Sequence, residues 1–177
     1  TPRSRRMASA SSTPGSATYR LVAEAPEGPA AESFRNLRAS LSLLGPETER
    51  KVFLFTSALP NEGKSFTSAN YALALAQQGH RVLLIDGDLR RPSLHKIFLP
   101  VDEAANRAAD SQLGIVDYLV GSTELHAAAR SVAAGPLDGA ASNGEAGVLT
   151  RTGGKLSVLT GGRRAPNPAE LLSGPSF

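Results

Sequence analysis

Apolar residues recur at helical spacing between residues 31 and 44, at positions Phe34, Leu37, Leu41 and Leu44. This spacing places the four side chains on one face of an α-helix, and a Gly-Pro pair, which ends helices, follows directly. Residues 65–78 contain good helix formers and are also followed by a glycine. Both segments are therefore predicted to be helices.

Two short apolar runs flank the second of these helices. Residues 51–56 read Lys-Val-Phe-Leu-Phe-Thr, and residues 81–85 read Arg-Val-Leu-Leu-Ile. Uninterrupted β-branched and aromatic residues are typical of strands buried in a parallel sheet. Strand, helix and strand in this order predict a βαβ unit.

The pattern is weaker in the second half of the chain. Residues 114–120 and 123–132 predict two short helices, and residues 156–159 predict one more strand. Residues 166–172 predict a last helix with proline at its start. Together these elements favour an α/β fold with a mainly parallel sheet and helices on both of its faces.

Residues 1–30 differ in composition from the rest of the chain. They are rich in serine, alanine, proline and glycine, and the first 20 contain arginine but no acidic residue. So few apolar side chains do not offset the entropy that is lost on ordering. We expect a disordered basic linker over residues 1–30 and one domain over residues 31–177.

Composition excludes several kinds of protein. The chain has no cysteine, which rules out disulfides and thiolate metal sites. It also has no apolar run of the roughly 18 residues that a membrane helix needs. The formal net charge of +3 is modest, and we expect no nucleic-acid partner.

A phosphate-binding loop is predicted between the first strand and its helix. Residues 58–65 read Ala-Leu-Pro-Asn-Glu-Gly-Lys-Ser, the Walker A pattern with alanine in place of the first glycine. Backbone N–H groups and the positive end of the following helix would bind phosphate, Lys64 would reach the outer phosphates, and the Ser65 hydroxyl would ligate Mg²⁺. An incidental Gly-Lys-Ser turn is the alternative, and the position between strand and helix argues against it. The predicted ATP-binding residues are Pro60, Asn61, Glu62, Gly63, Lys64, Ser65 and Phe66.

Two carboxylates follow the second predicted strand, at Asp86 and Asp88. The carboxyl edge of a parallel sheet is where α/β proteins bind their ligands, and side chains two residues apart on an extended segment project to one side. Carboxylate oxygens there could bind the Mg²⁺ of a nucleotide or take the proton of a hydroxyl nucleophile. The alternative is a solvated Asp-Gly-Asp turn, and which carboxylate would do which task stays open.

Residues 55–65 and 82–92, read together, resemble the bacterial tyrosine kinases of the polysaccharide co-polymerase group, whose fold is that of the P-loop NTPases. The second segment, Val-Leu-Leu-Ile-Asp-Gly-Asp-Leu-Arg-Arg-Pro, resembles the family's Walker A′ motif. The segment that begins at Glu32 is similar to the family's Glu-x-x-Arg-x-x-Arg helix, with its arginines at Arg35 and Arg38. A charged helix face in solvent is the other interpretation of that segment.

The resemblance implies transfer of the γ-phosphoryl group of ATP to protein tyrosine, in the control of exopolysaccharide or capsule synthesis. It implies catalytic roles for Lys64, Asp86 and Asp88, with Mg²⁺ bound by Ser65 and the two aspartates. It further implies a ring of identical subunits whose interface contains Glu32, Arg35 and Arg38. The partner would be a membrane co-polymerase segment, in cis or in trans, which would hold the chain at the cytoplasmic face of the membrane.

Two parts of the family pattern are absent from the 177 residues, namely the Walker B strand that ends in Asp-x-Pro-Pro and the C-terminal tyrosine cluster. We therefore expect a partial kinase domain, incomplete at its C-terminal side, with little activity by itself. A partition or septum-positioning ATPase is a second interpretation, although such proteins have a lysine near the start of the loop where this chain has Leu59. A third is a catalytically inactive module that controls chain length through assembly.

Overall fold

The computed structural model describes residues 19–45, 51–99, 113–135, 154–165 and 167–174. The helices in these ranges are α1 (Leu21–Glu24), α2 (Pro29–Ser42), α3 (Lys64–Gln77), α4 (Leu94–Phe98), α5 (Ile115–Leu119), α6 (Leu125–Ala128) and α7 (Pro168–Leu172). The strands are β1 (Arg81–Ile85), β2 (Arg130–Val132) and β3 (Lys155–Leu159). The predicted helices near residues 31–44 and 65–78 are therefore present as α2 and α3.

The described strands form one sheet in the order β1-β3-β2. β1 and β3 run parallel, with Arg81 opposite Lys155 and Ile85 opposite Leu159. β2 runs antiparallel to β3, with Arg130 opposite Val158. The α/β fold is thus confirmed, and its sheet is mixed.

Helices pack on both sides of β3, which is the central strand. Leu156 and Val158 lie in a buried cluster with Leu73 of α3. The side chain of Leu159 belongs to a second cluster, which includes Ile115 of α5. Because successive side chains of a strand point to opposite faces, the two clusters cover the two faces of the sheet.

The prediction of a buried strand at residues 51–56 is wrong. No ladder joins this segment to another described strand, and Val52 and Leu54 are 89% and 87% exposed. The intervening rings of Phe53 and Phe55 instead lie 5.4 and 5.8 Å from the ring of Tyr71. An apolar segment becomes a buried strand only where another strand pairs with it. Among the described residues, no strand pairs with residues 51–56.

The predicted linker extends too far along the chain. Residues 1–18 lie outside the described residues, but residues 21–24 form α1 and α2 begins at Pro29. Val22 and Ala23 are fully buried. The average composition of 30 residues does not reveal α1, because its few apolar residues lie within a largely polar stretch of sequence. That short apolar segment packs on α3.

The predicted helix over residues 123–132 is wrong in its second half. Helix α6 ends at Ala128, and residues 130–132 form β2. Residue Ala129 is extended, with φ −80° and ψ 128°. Pairing with β3, which lies more than 20 residues away along the chain, decides this conformation.

Candidate functional site

The predicted phosphate-binding loop leads directly into α3, whose first residue is Lys64. Gly63 has φ 91°, in the left-handed region, and Asn61 has φ 65°. Glycine adopts this conformation without steric cost, so Gly63 allows the chain to turn sharply into the helix. The first N–H groups of a 14-residue helix consequently lie at the loop, where they have no helical partners.

Side chains of the loop are held by contacts within it. The Lys64 ammonium donates to the Ser57 hydroxyl at 3.0 Å, and that hydroxyl donates to the Leu59 carbonyl at 2.9 Å. The Glu62 carboxylate accepts from the Leu59 N–H at 2.9 Å. Lys64 is therefore held near the backbone of the loop.

The hydroxyl groups of Ser65 and Ser93 lie 2.6 Å apart. Ser65 is in the first turn of α3, and Ser93 directly precedes α4. The contact joins the phosphate-binding loop to the segment that follows β1. Ser93 was not among the residues predicted from the sequence, since an isolated serine carries no recognisable pattern.

Asp86 is buried and anchors the segment after β1. One oxygen, Oδ2, accepts from the N–H groups of Ser93 at 2.8 Å and Leu94 at 2.9 Å, and Oδ1 accepts from the N–H of Asp88 at 3.3 Å. Burial raises the pKa of Asp86, these three hydrogen bonds oppose the rise, and the charge of Asp88 adds to it. The carboxylate thus binds backbone at the start of α4.

Asp88 has different surroundings. It is exposed, and its Oδ1 accepts from the N–H of Arg91 at 3.0 Å. The hydrogen bond from the Asp88 N–H to the Asp86 carboxylate makes the segment turn. The segment is therefore a turn and not the extended segment that the spacing argument assumed, and the two carboxylates differ in exposure. Asp88 is the one that solvent and a ligand can reach.

His95 lies beside this network in α4. Burial lowers its pKa, the charge of Lys96 lowers it further, and Asp86 opposes both effects. Its sequence context gives no signal of a functional role, because no paired acid or metal spacing accompanies it.

An open depression of about 580 Å³ lies on the surface beside the residues that follow Asp88. The residues that line it are Leu89, Arg90, Arg164, Ala165 and Pro168. Both arginines are exposed, so their attraction for an anion is screened by solvent and salt.

The predicted interface residues lie on α2. The Arg35 guanidinium contacts the Glu32 carboxylate at 3.2 Å and donates to the Pro26 carbonyl at 2.6 Å. Arg38 donates to the carbonyl of Ala74 in α3 at 3.3 Å. Both arginines therefore contact their own chain, which the prediction of an intersubunit role did not anticipate.

Oxygen atoms are the donors that this site offers to a cation. Within the described ranges, no three His, Asp or Glu side chains come together in a cluster that could hold a metal ion. Mg²⁺ commonly takes one or two protein ligands and completes its shell with phosphate oxygens and water. Three of the roughly four acceptor positions of Asp86 are in use, which leaves about one. The Ser65 hydroxyl and the Asp86 and Asp88 carboxylates are the oxygen donors from which such an arrangement would take its one or two protein ligands.

Comparison with known proteins places the site in context. Residues 54–151 match the family model described as the CobQ/CobB/MinD/ParA nucleotide binding domain. The chain is 35% identical over 142 residues to the tyrosine-protein kinase YwqD of Bacillus subtilis. It is 38% identical over 102 residues to the succinoglycan biosynthesis transport protein ExoP of Rhizobium meliloti. The solved kinase domain of Escherichia coli tyrosine kinase ETK is similar in fold, with a TM-score of 0.63 and 31% identity.

These matches cover most of this chain but only part of each relative. The alignment with YwqD includes 80% of this chain and 48% of YwqD. For ExoP the shares are 58% and 12%, and for the ETK kinase domain they are 86% and 49%. The chain therefore spans about half the length of YwqD. Among the described helices, none is both long and apolar enough to cross a bilayer.

Proposed function

Because this chain belongs to the family of CobQ/CobB/MinD/ParA nucleotide-binding domains, we propose that it binds Mg²⁺·ATP as part of a protein-tyrosine kinase. The observation that carries the proposal is the meeting of two segments at one site. The hydroxyl of Ser65, in the phosphate-binding loop, lies 2.6 Å from that of Ser93, whose N–H binds Asp86. Phosphoryl transfer needs a phosphate site and a carboxylate close together, and the contact between these two segments supports the proposal.

The residues have separate roles in the proposed reaction. The Lys64 ammonium neutralises charge on the outer phosphates, and N–H groups at the start of α3 hold their oxygens. The Ser65 hydroxyl would hold Mg²⁺, which would neutralise charge on the phosphates. The P–O bond between the γ-phosphoryl group and ADP breaks as a bond to the tyrosyl oxygen forms. The tyrosyl proton passes to Asp88, which is exposed and can be reached by a second polypeptide.

The biological setting is also a proposal. Homologues of this chain are named for tyrosine kinase activity and for transport in succinoglycan synthesis. We infer that the protein regulates the synthesis or export of an exopolysaccharide at the cytoplasmic face of the membrane, next to a membrane co-polymerase segment. A ring of subunits in contact through α2 would bring the tyrosine of one subunit to the Asp88 of its neighbour. Sedimentation of the gene product that contains this chain tests the ring.

Partition-type ATPases are a second candidate, since the matching family model includes MinD and ParA. Such a protein would transfer the phosphoryl group to water. The experiment is incubation of the gene product that contains this chain with Mg²⁺ and ATP labelled in the γ-phosphate, followed by separation of phosphotyrosine from inorganic phosphate. A kinase places label on tyrosine at a rate above the release of phosphate. Release of phosphate without any phosphotyrosine would exclude the kinase.

A further inference from the structure

Ser93 has no role in the reaction described so far, yet it contacts both parts of the site. Its hydroxyl lies 2.6 Å from the hydroxyl of Ser65. Its backbone N–H donates to Asp86 at 2.8 Å. The serine is half-buried at the N-terminus of α4. Its backbone position is thus fixed by the carboxylate and by the helix that follows.

The orientation of the Ser65 hydroxyl determines whether it can bind a cation. A serine hydroxyl has one proton and two lone pairs, and only a lone pair can bind a metal ion. The proton must then point away from the metal and be accepted by another atom. At 2.6 Å the Ser93 oxygen is within the distance range of a strong O–H···O hydrogen bond, so it can accept that proton.

We propose that Ser93 is a positioning residue for the metal ligand Ser65. It accepts the Ser65 proton and so directs a Ser65 lone pair toward the Mg²⁺ of the nucleotide. Because Asp86 holds the Ser93 backbone, the acidic segment fixes the orientation of a hydroxyl in the phosphate-binding loop. The inference rests on the proposed function, since it requires that Mg²⁺·ATP binds at this loop.

The experiment compares three variants of the full chain. Ser93→Ala removes the acceptor, and Ser93→Thr retains a hydroxyl. The matched control is Ser68→Ala, since the Ser68 hydroxyl contacts the carbonyl of Ser65 at 3.2 Å and not its hydroxyl. Binding of a fluorescent ATP analogue is measured in EDTA and again as Mg²⁺ is added. Thermal unfolding reports whether each variant is folded. If Ser93→Ala does not fold, Ser93→Cys takes its place, because a thiol is of similar size to the hydroxyl but is a weak hydrogen-bond acceptor.

Ser93→Ala is expected to raise the Mg²⁺ concentration for half-maximal tight binding about five- to tenfold, the effect of one hydrogen bond. Its nucleotide affinity in EDTA should stay within about twofold of wild type, because the phosphate contacts of the loop are unchanged. The threonine and Ser68 variants should resemble wild type.

Two results would overturn the inference. One is a Mg²⁺ requirement in Ser93→Ala no different from that of Ser68→Ala. The other is an equal loss of affinity with and without Mg²⁺, which would mean that Ser93 only maintains the shape of the loop. If wild type itself binds no nucleotide, the proposed function fails. If wild type binds nucleotide and one of the two results above is found, only the inference about Ser93 fails.

Discussion

Asp86 and Asp88 differ in what their carboxylates contact. Asp86 is buried and accepts three backbone N–H groups, whereas Asp88 is exposed and accepts one. A buried carboxylate with several donors maintains local structure, and an exposed one can react. The difference argues for a structural task at Asp86 and a chemical task at Asp88.

Substitution of each aspartate by asparagine tests this division. In Asp86→Asn, an NH₂ group faces backbone N–H donors, so we expect a loss of about 1–3 kcal/mol in the free energy of unfolding. Asp88→Asn should change that free energy by no more than about 0.5 kcal/mol, because the side chain is exposed. Urea unfolding of the two variants provides the measurement. Equal destabilisation of both would contradict the structural role assigned to Asp86.

Sequence patterns predicted the positions of the phosphate-binding loop and the acidic segment, because each consists of a few adjacent residues. They did not predict Ser57 or Ser93. Ser93 contacts Ser65 across 28 positions of the chain, and only the packing of β1 and α3 brings the two together. The functional roles of Lys64, Ser65, Asp86 and Asp88 stay predictions.

One buried amide of α3 bonds to the backbone of α1 and of the residues before it. The Asn70 side chain accepts from the Val22 N–H at 3.0 Å and donates to the Tyr19 carbonyl at 2.8 Å. The Gln77 amide adds a bond to the Val22 carbonyl at 3.0 Å. These contacts connect the segment before α2 to the helix that begins at the phosphate-binding loop.

Removal of this amide should release α1. Asn70→Ala leaves the buried Val22 N–H without a partner, and we expect it to lower the free energy of unfolding by about 1–3 kcal/mol. It should also expose the bond after Arg20, which is 2% exposed in the wild type, to trypsin. Asn36→Ala, on the exposed face of α2, is the matched control. Unchanged stability and unchanged cleavage would contradict the docking of α1.

Long elements with one clear period were predictable, whereas the short elements α1 and β2 were not predicted. The 14 residues of α2 and of α3 give a repeated helical signal over several turns. β3 was also predicted, because a short apolar run is followed there by two glycines. Helix α1 has four residues, which is too short for periodicity, and β2 is a strand only because β3 lies beside it.

At the scale of the whole molecule, apolar side chains of β1 and of the segment before the phosphate-binding loop are exposed. Leu83 and Ile85 of β1 are 44% and 45% exposed, and Val52 and Leu54 are exposed more strongly. The uninterrupted apolar runs in the sequence predict burial at all four positions. Their exposure follows from pairing, since β1 has a described neighbour on one side only, β3. Burial of a strand depends on its neighbours, so it could not be predicted from the segment alone.

The central claim is that this chain binds the phosphates of ATP through Lys64. The most direct measurement is the affinity for Mg²⁺·ATP of wild type and of Lys64→Met, with far-UV circular dichroism to monitor the fold. Lys64 lies near the Ser57 hydroxyl at the loop and not in the buried clusters, so its loss should affect phosphate binding and not packing. We predict that Lys64→Met loses nucleotide affinity by at least about tenfold, the effect of one charge-assisted hydrogen bond, with an unchanged spectrum. Equal affinity in the two proteins would contradict the account.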